Sequence, residues 1–385
     1  MKLYGYRREN GQVGIRNHIL IIPSSVCASE VAAGIASHVN GAIAIPNQHG
    51  CCQVGADMDL TIATLKALGK NPNVASVLVV GLGCEGVPTK EVAKDIASTG
   101  KRVEYVIIQE CGGTINTVTE GTRIAASMAR EAGKMQKEKI DISELTLAIE
   151  CGGSDTTSGL AANPAVGYAS DKLVSLNGTS IFSETTEFIG AEHILARRAV
   201  TRKIGDKILE IVSNCEKKAN TMGVDMRGGQ PTPGNIQGGL TTIEEKSLGC
   251  IYKGGTAPIN GVLDYAEAPK SKGLYVMNTP GQDIESMTGM VAGGAQLVVF
   301  TTGRGTPTGN PIAPVIKVTG NPKTFKNMQD NIDINAGTII EGSKTVQQIG
   351  ESIFSEILEV INGKQTKAES LKHREFGILK LISTF

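Results

Sequence analysis

The sequence predicts an α/β protein of two domains, the second built on a doubly wound, mostly parallel sheet of about seven strands. Short apolar runs rich in β-branched residues alternate with stretches of helical periodicity, the pattern of parallel strands joined by helical crossovers. A length of 385 residues exceeds one ordinary core, and the polar segment from Lys134 to Glu144 divides it. The domains are therefore expected at residues 1–140 and 141–385.

In the first domain, strands are expected at Ile19 to Ile22, Val77 to Val80 and Val103 to Ile108. Apolar residues at helical spacing predict helices over Ser29 to Val39 and Thr89 to Ser98, with Thr89 as the cap after Pro88 and Gly100 as the stop. A longer helix is expected from Thr114 to Lys137. In the second domain the strands are placed at Leu145 to Ile149, Thr179 to Phe182, Ile251 to Lys253, Leu274 to Met277, Leu297 to Phe300, Val315 to Val318 and Thr338 to Ile340. The final helix, Thr345 to Asn362, carries Val346, Ile349, Ile353, Ile357, Val360 and Ile361 on one face, with Ser343 available as a cap and Gly363 as a stop.

The 38 basic and 38 acidic side chains cancel, so no global field draws the chain to nucleic acid or to an anionic membrane. Without Trp and with 4% aromatics it also lacks the faces on which bases stack. No apolar run approaches a membrane span, and the run after the charged start, Ile19 to Ile22, is too short for a signal segment. A cytoplasmic location follows as the expectation. The eight cysteines have no Cys-x-x-Cys spacing and are expected to be reduced thiols.

The chemistry is expected where strands end, because the crevice of an open parallel sheet lies at the carboxyl ends of its strands. Glu-Cys-Gly-Gly occurs twice after an apolar run, at Glu110 to Gly113 and at Glu150 to Gly153, and Gly81-Leu82-Gly83-Cys84-Glu85-Gly86 follows a third. His49-Gly50-Cys51-Cys52-Gln53 puts an imidazole and two thiols in one turn. Imidazole and thiolate suit Fe(II) or Zn(II), and Glu85, Glu110, Glu150 and Asp155 can add oxygen ligands. The competing reading is that these cysteines pack as small hydrophobes. Three further glycine loops, Pro231 to Thr242, Thr279 to Gly281 and Thr301 to Gly305, can cradle an anion, and Arg304 offers a planar two-point donor. Gly81-Leu82-Gly83-Cys84-Glu85-Gly86 has the spacing of a dinucleotide fingerprint but puts the Glu85 charge where a pyrophosphate would lie, and phosphate-loop and Gly-x-Ser-x-Gly patterns are missing.

Taken together, several motifs resemble the altronate/galactarate dehydratase family over nearly the whole chain. They are Gly5-Tyr6-Arg7-Arg8-Glu9-Asn10-Gly11 with Gly14-Ile15-Arg16-Asn17, His49 to Gln53, Gly81 to Glu85, Glu150 to Asp155, Ser158 to Pro164, Pro233-Gly234-Asn235, Gly238 to Lys246, and Phe300 to Gly305. The resemblance implies a Rossmann-like variant for the second domain. It also implies Fe2+-dependent β-elimination from a 2-hydroxy acid such as altronate or galactarate, with Mn2+ or another divalent metal as substitute. The family includes the large subunit of (R)-sulfolactate sulfo-lyase, which releases sulfite. The substrate contacts it suggests are Ser154, Asn163, Asn235, Thr241, Thr242, Thr301, Thr302 and Arg304; the metal ligands are His49, Cys51, Glu85, Cys111, Cys151 and Asp155. Lys246 and His49 are the candidate base and acid, with Arg304 on the substrate's anionic group.

Single-chain dehydratases of this family carry a small β-clip domain before the Gly-Tyr-x-Arg motif, which here begins at Gly5. A separate small β-clip subunit is therefore expected, and a homodimer formed through the first domain. An iron-sulfur or thiol redox protein is the other class considered; it needs three or four of Cys51, Cys52, Cys84, Cys111 and Cys151 to converge on one cluster.

Overall fold

The computed structural model describes residues 2–384. The chain opens with β1 (Leu3–Arg7) and β2 (Val13–Gly14), an antiparallel pair. Then β3 (His18–Pro23), β4 (Ala42–Ala44), β5 (Val74–Gly81) and β6 (Arg102–Ile107) form a parallel sheet in the order β4-β3-β5-β6. β7 (Glu138–Ile140) returns to pair with β1, in the segment expected to be a polar boundary.

The second sheet comprises β8 (Thr146–Gly152), β9 (Thr179–Phe182), β10 (Ile259–Leu263), β11 (Gly273–Met277), β12 (Leu297–Thr302), β13 (Val315–Thr319) and β14 (Ile334–Asn335). Its order is β10-β11-β9-β8-β12-β13-β14 and every neighbouring pair is parallel. The doubly wound sheet of seven strands is thus as expected, but two of the expected strands are helical. Ile251 to Lys253 belongs to the end of helix Ile243–Ile251 and the turn Tyr252–Gly254. Ile243, Ser247, Cys250 and Ile251 recur at helical spacing and are all buried, and Thr242 caps the helix by accepting from the Glu245 amide. Thr338 to Ile340 lies in the short helix Gly337–Ile340. Their places are taken by β10, whose Asn260-Gly261 interrupts the apolar pattern, and by the two-residue β14. The final helix is Val346–Ile361, capped by Thr345 in a reciprocal box with Gln348 and not by Ser343.

Alternation along the strands sorts the interior into three cores. Leu147, Ile149, Val299 and Ile316 face helices Asn163–Ser175 and Val346–Ile361. Ala148, Val298 and Phe300 face the other way, onto Met287, Met290 and Val291 of helix Asp283–Ala292 and Leu65 and Leu68 of helix Ala56–Lys70. On the first sheet Leu20 and Ile22 join that shared core, while Ile19 and Ile21 meet helices Ser29–Ser37 and Thr114–Ala132. Each fully buried Leu, Ile or Met contributes roughly 1.5–3 kcal/mol, so the shared core joins the two sheets firmly. Polar ties reinforce it: Asn71 Nδ2 donates to the Val291 and Ala295 carbonyls, and Asn73 Nδ2 to those of Gln296 and Ile312.

Strand order creates two crevices. From β8 the chain runs to β9 on one side and later reaches β12 on the other, so the carboxyl ends of β8 and β12 flank a switch point. The smaller sheet has its own switch between β3 and β5. Among the described residues, no helix is long and apolar enough to cross a membrane.

Candidate active site

Glu150 and Cys151 are consecutive in β8, so the pleat sends their side chains to opposite faces of the sheet at the switch point. Cys151 lies with Glu187 and Cys250 on one side, and Glu150 with Glu184 and Asp283 on the other; in each trio the ligand-type atoms lie within 4.8 Å of one another. Glu184 and Glu187 come from the loop after β9, Asp283 from the start of helix Asp283–Ala292, and Cys250 from helix Ile243–Ile251.

Lys253, wholly buried, links the two groups. Its Nζ approaches Cys151 Sγ at 3.2 Å and Glu187 Oε2 at 3.3 Å, and it pairs closely with Glu184. Cys151 Sγ–H donates to Glu187 Oε2 at 2.9 Å and stands 3.6 Å from Cys250 Sγ. Lys246 Nζ reaches Glu187 Oε1 at 3.3 Å from the next helical turn. On the other side Ser286 Oγ donates to Glu150 Oε2 at 2.7 Å, whereas Glu150 Oε1 is buried without a hydrogen-bond partner.

The electrostatics follow from this packing. Burial pushes the Glu150 carboxyl well above its ordinary range and the Glu184 charge pushes it further. Burial raises Asp283 to about 7, with the Glu184 and Glu187 charges adding to it. Burial acts the same way on Glu187, but the Lys253 and Lys246 charges outweigh it and bring the group down to about 2. Lys246 is the converse case: burial opposes its charge, and Glu187 holds the proton on, above the ordinary lysine value.

Beside these groups a cavity of about 230 Å³ is lined by Ser154, Asp155, Asn163, Lys246, Cys250 and Tyr252, among others. Several expected substrate contacts border it or lie next to it, each with its own tie. Asn163 Oδ1 accepts from Thr301 Oγ1 at 2.6 Å, and its Nδ2 donates to the Gly249 carbonyl. Asn235 Nδ2 donates to the Ser154 carbonyl, and Asp155 Oδ1 accepts from Thr157 and Ser158 while Oδ2 accepts from Asn321. Thr241 donates to Glu245, Thr242 caps the helix bearing Lys246, and Thr302 accepts from the Gly305 amide. Arg304 is exposed and spends Nη1 on the Gly234 carbonyl and Gln237; no acceptor among the described residues meets its Nε or Nη2.

The six expected metal ligands do not share one place. His49, Cys51, Glu85 and Cys111 belong to the loops after β4, β5 and β6, and of the six only Cys151 falls in a trio of ligand-type atoms. His49 Nε2 lies 3.2 Å from the Ile378 carbonyl, and His49 does not line the cavity. Glu85 Oε1 accepts from Ser24, Leu82 and Thr89, and Oε2 from the Gly83 amide, so it braces its own loop. Glu184, Glu187, Asp283 and Lys253 escaped the sequence reading. The first two had a legible signal, since Ser183-Glu184-Thr185-Thr186-Glu187 follows an apolar strand just as Glu150 does.

A charge-dense interior at the switch point of a doubly wound sheet, opening beside a small polar cavity, is the site of an enzyme. Residues 5–133 match the family model described as D-galactarate dehydratase/altronate hydrolase, second domain, and residues 142–384 match D-galactarate/altronate dehydratase, C-terminal. The chain belongs to this dehydratase family. It is 40% identical over 382 residues to the (2R)-sulfolactate sulfo-lyase subunit beta of Chromohalobacter salexigens, across 99% of this chain and 97% of that relative. It is 33% identical over 389 residues to the altronate dehydratase of Bacillus subtilis, across 98% of this chain and 77% of the relative. With the galactarate dehydratase (L-threo-forming) of Escherichia coli it shares 36% over 382 residues, 94% of this chain and 73% of the relative.

Proposed function

We propose that this lyase removes a β substituent from a small 2-hydroxy acid with the help of a divalent cation held by Glu150, Glu184 and Asp283. Charge is the observation that carries the reading. Four carboxyl groups, Glu150, Glu184, Glu187 and Asp283, face only the two ammonium groups of Lys246 and Lys253, and burial drives Glu150 and Asp283 toward the protonated form, whose protons a cation would displace. Buried charge without compensation is costly, and Glu150 Oε1 has no partner at all. Lys253 stands against both trios, pairing closely with Glu184 and lying 3.2 Å from Cys151 Sγ, so the choice of the oxygen trio rests on its buried, unpartnered Glu150 Oε1. Gly152 keeps that place open, because a Cβ there would fall on the Asp283 carboxyl. An all-oxygen donor set suits Mn2+ best, and Fe2+ is the ion that the family resemblance implies. When bound, such an ion is a Lewis acid that acidifies the α-hydrogen of a hydroxy acid and stabilises the enolate.

The side chains around the cavity then have definite tasks. Lys246, kept protonated by Glu187, acts as a cationic anchor or proton donor to the leaving group at neutral pH and not as the base. Arg304 presents its remaining donors to an anionic end of the substrate. Over the reaction the α C–H bond and the β bond to the leaving group break, a double bond forms between the two carbons, and the enol becomes a 2-oxo acid.

Altronate or galactarate, losing hydroxide, is the main reading. The second is (R)-sulfolactate, losing sulfite, favoured by the 40% identity that spans 97% of the sulfo-lyase subunit. That relative's name as a subunit supports a partner chain, which we propose is a small β-clip protein; the homodimer through the first domain belongs to the same reading. Exposed free thiols accord with a cytoplasmic location. The test is 2-oxo acid formation by the anaerobically purified chain with Fe2+ and the small subunit on all three acids, with free sulfite measured alongside. Metal-replete protein, inactive on all three with its partner present, overturns the reading.

A further inference from the structure

Asp155 lines the cavity beside the interior carboxylates, yet neither trio of ligand-type atoms includes it. It is 4% exposed, and the partners of its carboxylate are neutral donors. Oδ1 accepts from the Thr157 amide and hydroxyl at 2.9 and 2.6 Å and from the Ser158 amide at 3.1 Å, while Oδ2 accepts from Asn321 Nδ2 at 2.9 Å. A carboxylate can accept on both oxygens, whereas the amide of the same shape has one donor end. Burying such a charge is costly, so its place calls for a cause.

The Asn321 contact closes a ring that runs through Arg304. Asn321, in the loop after β13, also caps the helix Pro322–Asn327, its Oδ1 accepting from the Lys323 and Thr324 amides. Thr324 Oγ1 donates to the Gly303 carbonyl at 2.7 Å, and the Arg304 amide donates to the Gly153 carbonyl at 3.0 Å. Gly153 belongs to the loop of Asp155 itself. From that loop the Ser154 carbonyl also accepts from Asn235 Nδ2 at 2.8 Å, and the Thr156 amide donates to the Gly238 carbonyl at 3.1 Å. The Arg304 guanidinium rests on the same segment, through the Gly234 carbonyl and Gln237.

Two glycines let these loops close on the carboxylate. A Cβ on Gly303 would stand 2.2 Å from Asp155 Cγ, and one on Gly238 would stand 2.7 Å from Asp155 Cβ. The glycine loops at Pro231 to Thr242 and Thr301 to Gly305, separate anion cradles in the sequence reading, are therefore one assembly with Asp155 at its centre.

We infer that Asp155 is a positioning residue and not a metal ligand: its carboxylate fixes where Arg304 stands toward the anionic end of the substrate. The inference rests on the role proposed for Arg304. A slightly misplaced anchor loses binding that the ground and transition states share, which raises KM and spares kcat.

A donor–acceptor swap tests it. Asp155→Asn keeps an acceptor for Thr157 and Ser158 but sets a donor against the Asn321 donor, and Asn321→Asp sets two carboxylates against each other. Asp155→Asn/Asn321→Asp restores one donor facing one acceptor. With Fe2+ and the small subunit present, and altronate, galactarate and (R)-sulfolactate as substrates, each single variant is expected to raise KM by about tenfold, with kcat within about twofold and bound Fe2+ unchanged. The double variant is expected to return KM to within about threefold of the parent. Hydrogen exchange read without substrate is expected to show the Arg304 amide less protected in both single variants and protected again in the double. A double variant no better than the singles, unaltered exchange at Arg304 in Asp155→Asn, or loss of Fe2+ from that variant overturns the inference. Parental KM in Arg304→Lys overturns the reading beneath it; a raised KM in Arg304→Lys beside a parental KM in Asp155→Asn overturns the inference alone.

Discussion

The tetrapeptide Glu-Cys-Gly-Gly stands at the end of two strands and does opposite things. After β6, an edge strand, Glu110 is exposed and pairs with Lys90 at 3.3 Å on the surface, and Cys111 leans on Glu120. In β8, at the centre of the seven-stranded sheet, Glu150 and Cys151 are 0% and 1% exposed and each belongs to a trio of ligand-type atoms. Register makes the difference. The first copy has left the sheet and turns through Gly112 and Gly113, both at positive φ, into a helix. The second remains in the strand, with Glu150, Cys151 and Gly152 paired to Phe300, Thr301 and Thr302 of β12. Identical chemistry becomes a surface ion pair in high dielectric or a coupled interior network in low dielectric, and only the second has large energies to use.

The comparison is broken most directly at Lys253. Lys253→Met leaves Glu184 and Glu187 buried without their cation and is expected to cost about 3–5 kcal/mol in urea unfolding. Lys90→Met, which removes the partner of the exposed copy, is expected to change stability by less than about 1 kcal/mol. Equal effects in the two variants would show that burial does not separate the sites.

Glu150→Gln against Glu110→Gln makes the functional version of the same contrast. The first is expected to lower Fe2+ affinity and turnover by at least about tenfold, read by metal analysis and 2-oxo acid formation, while the second leaves both unchanged. Arg304→Lys keeps the charge and loses the planar fork, so KM is expected to rise by about tenfold with the melting temperature unmoved. An unaltered KM returns Arg304 to the role of a loop tie.

A smaller effect comes from another wholly buried lysine. Lys253 is surrounded by carboxylates and keeps its proton, whereas Lys317 donates to the Pro307 and Thr308 carbonyls, and burial lowers it from 10.5 to about 8. Between those two values the unfolded chain holds a proton that the folded one has lost. Stability therefore rises with pH there, by at most ~1.4 kcal/mol per unit from this group. Urea midpoints between pH 8 and 10 are expected to show that slope in the parent and to lose it in Lys317→Met.

Sequence alone determined the class of fold, most strand positions, the glycine loops at strand ends and the family, because alternation, turn chemistry and motif spacing are local properties of the chain. Ile251 to Lys253 was misread as a strand because a short apolar run carries no period of its own; the surrounding helix decides it. The tertiary structure decided which acids and thiols act together. Glu150, Glu184, Lys253 and Asp283 are far apart in sequence and meet only because β8, β9 and the helices after them converge at one switch point. It also decided that His49 and Cys51 belong to the four-stranded sheet and Cys151 to the seven-stranded one. Burial is a sum over distant neighbours, and it is burial that turns a glutamate from a solvated charge into a group that needs a cation.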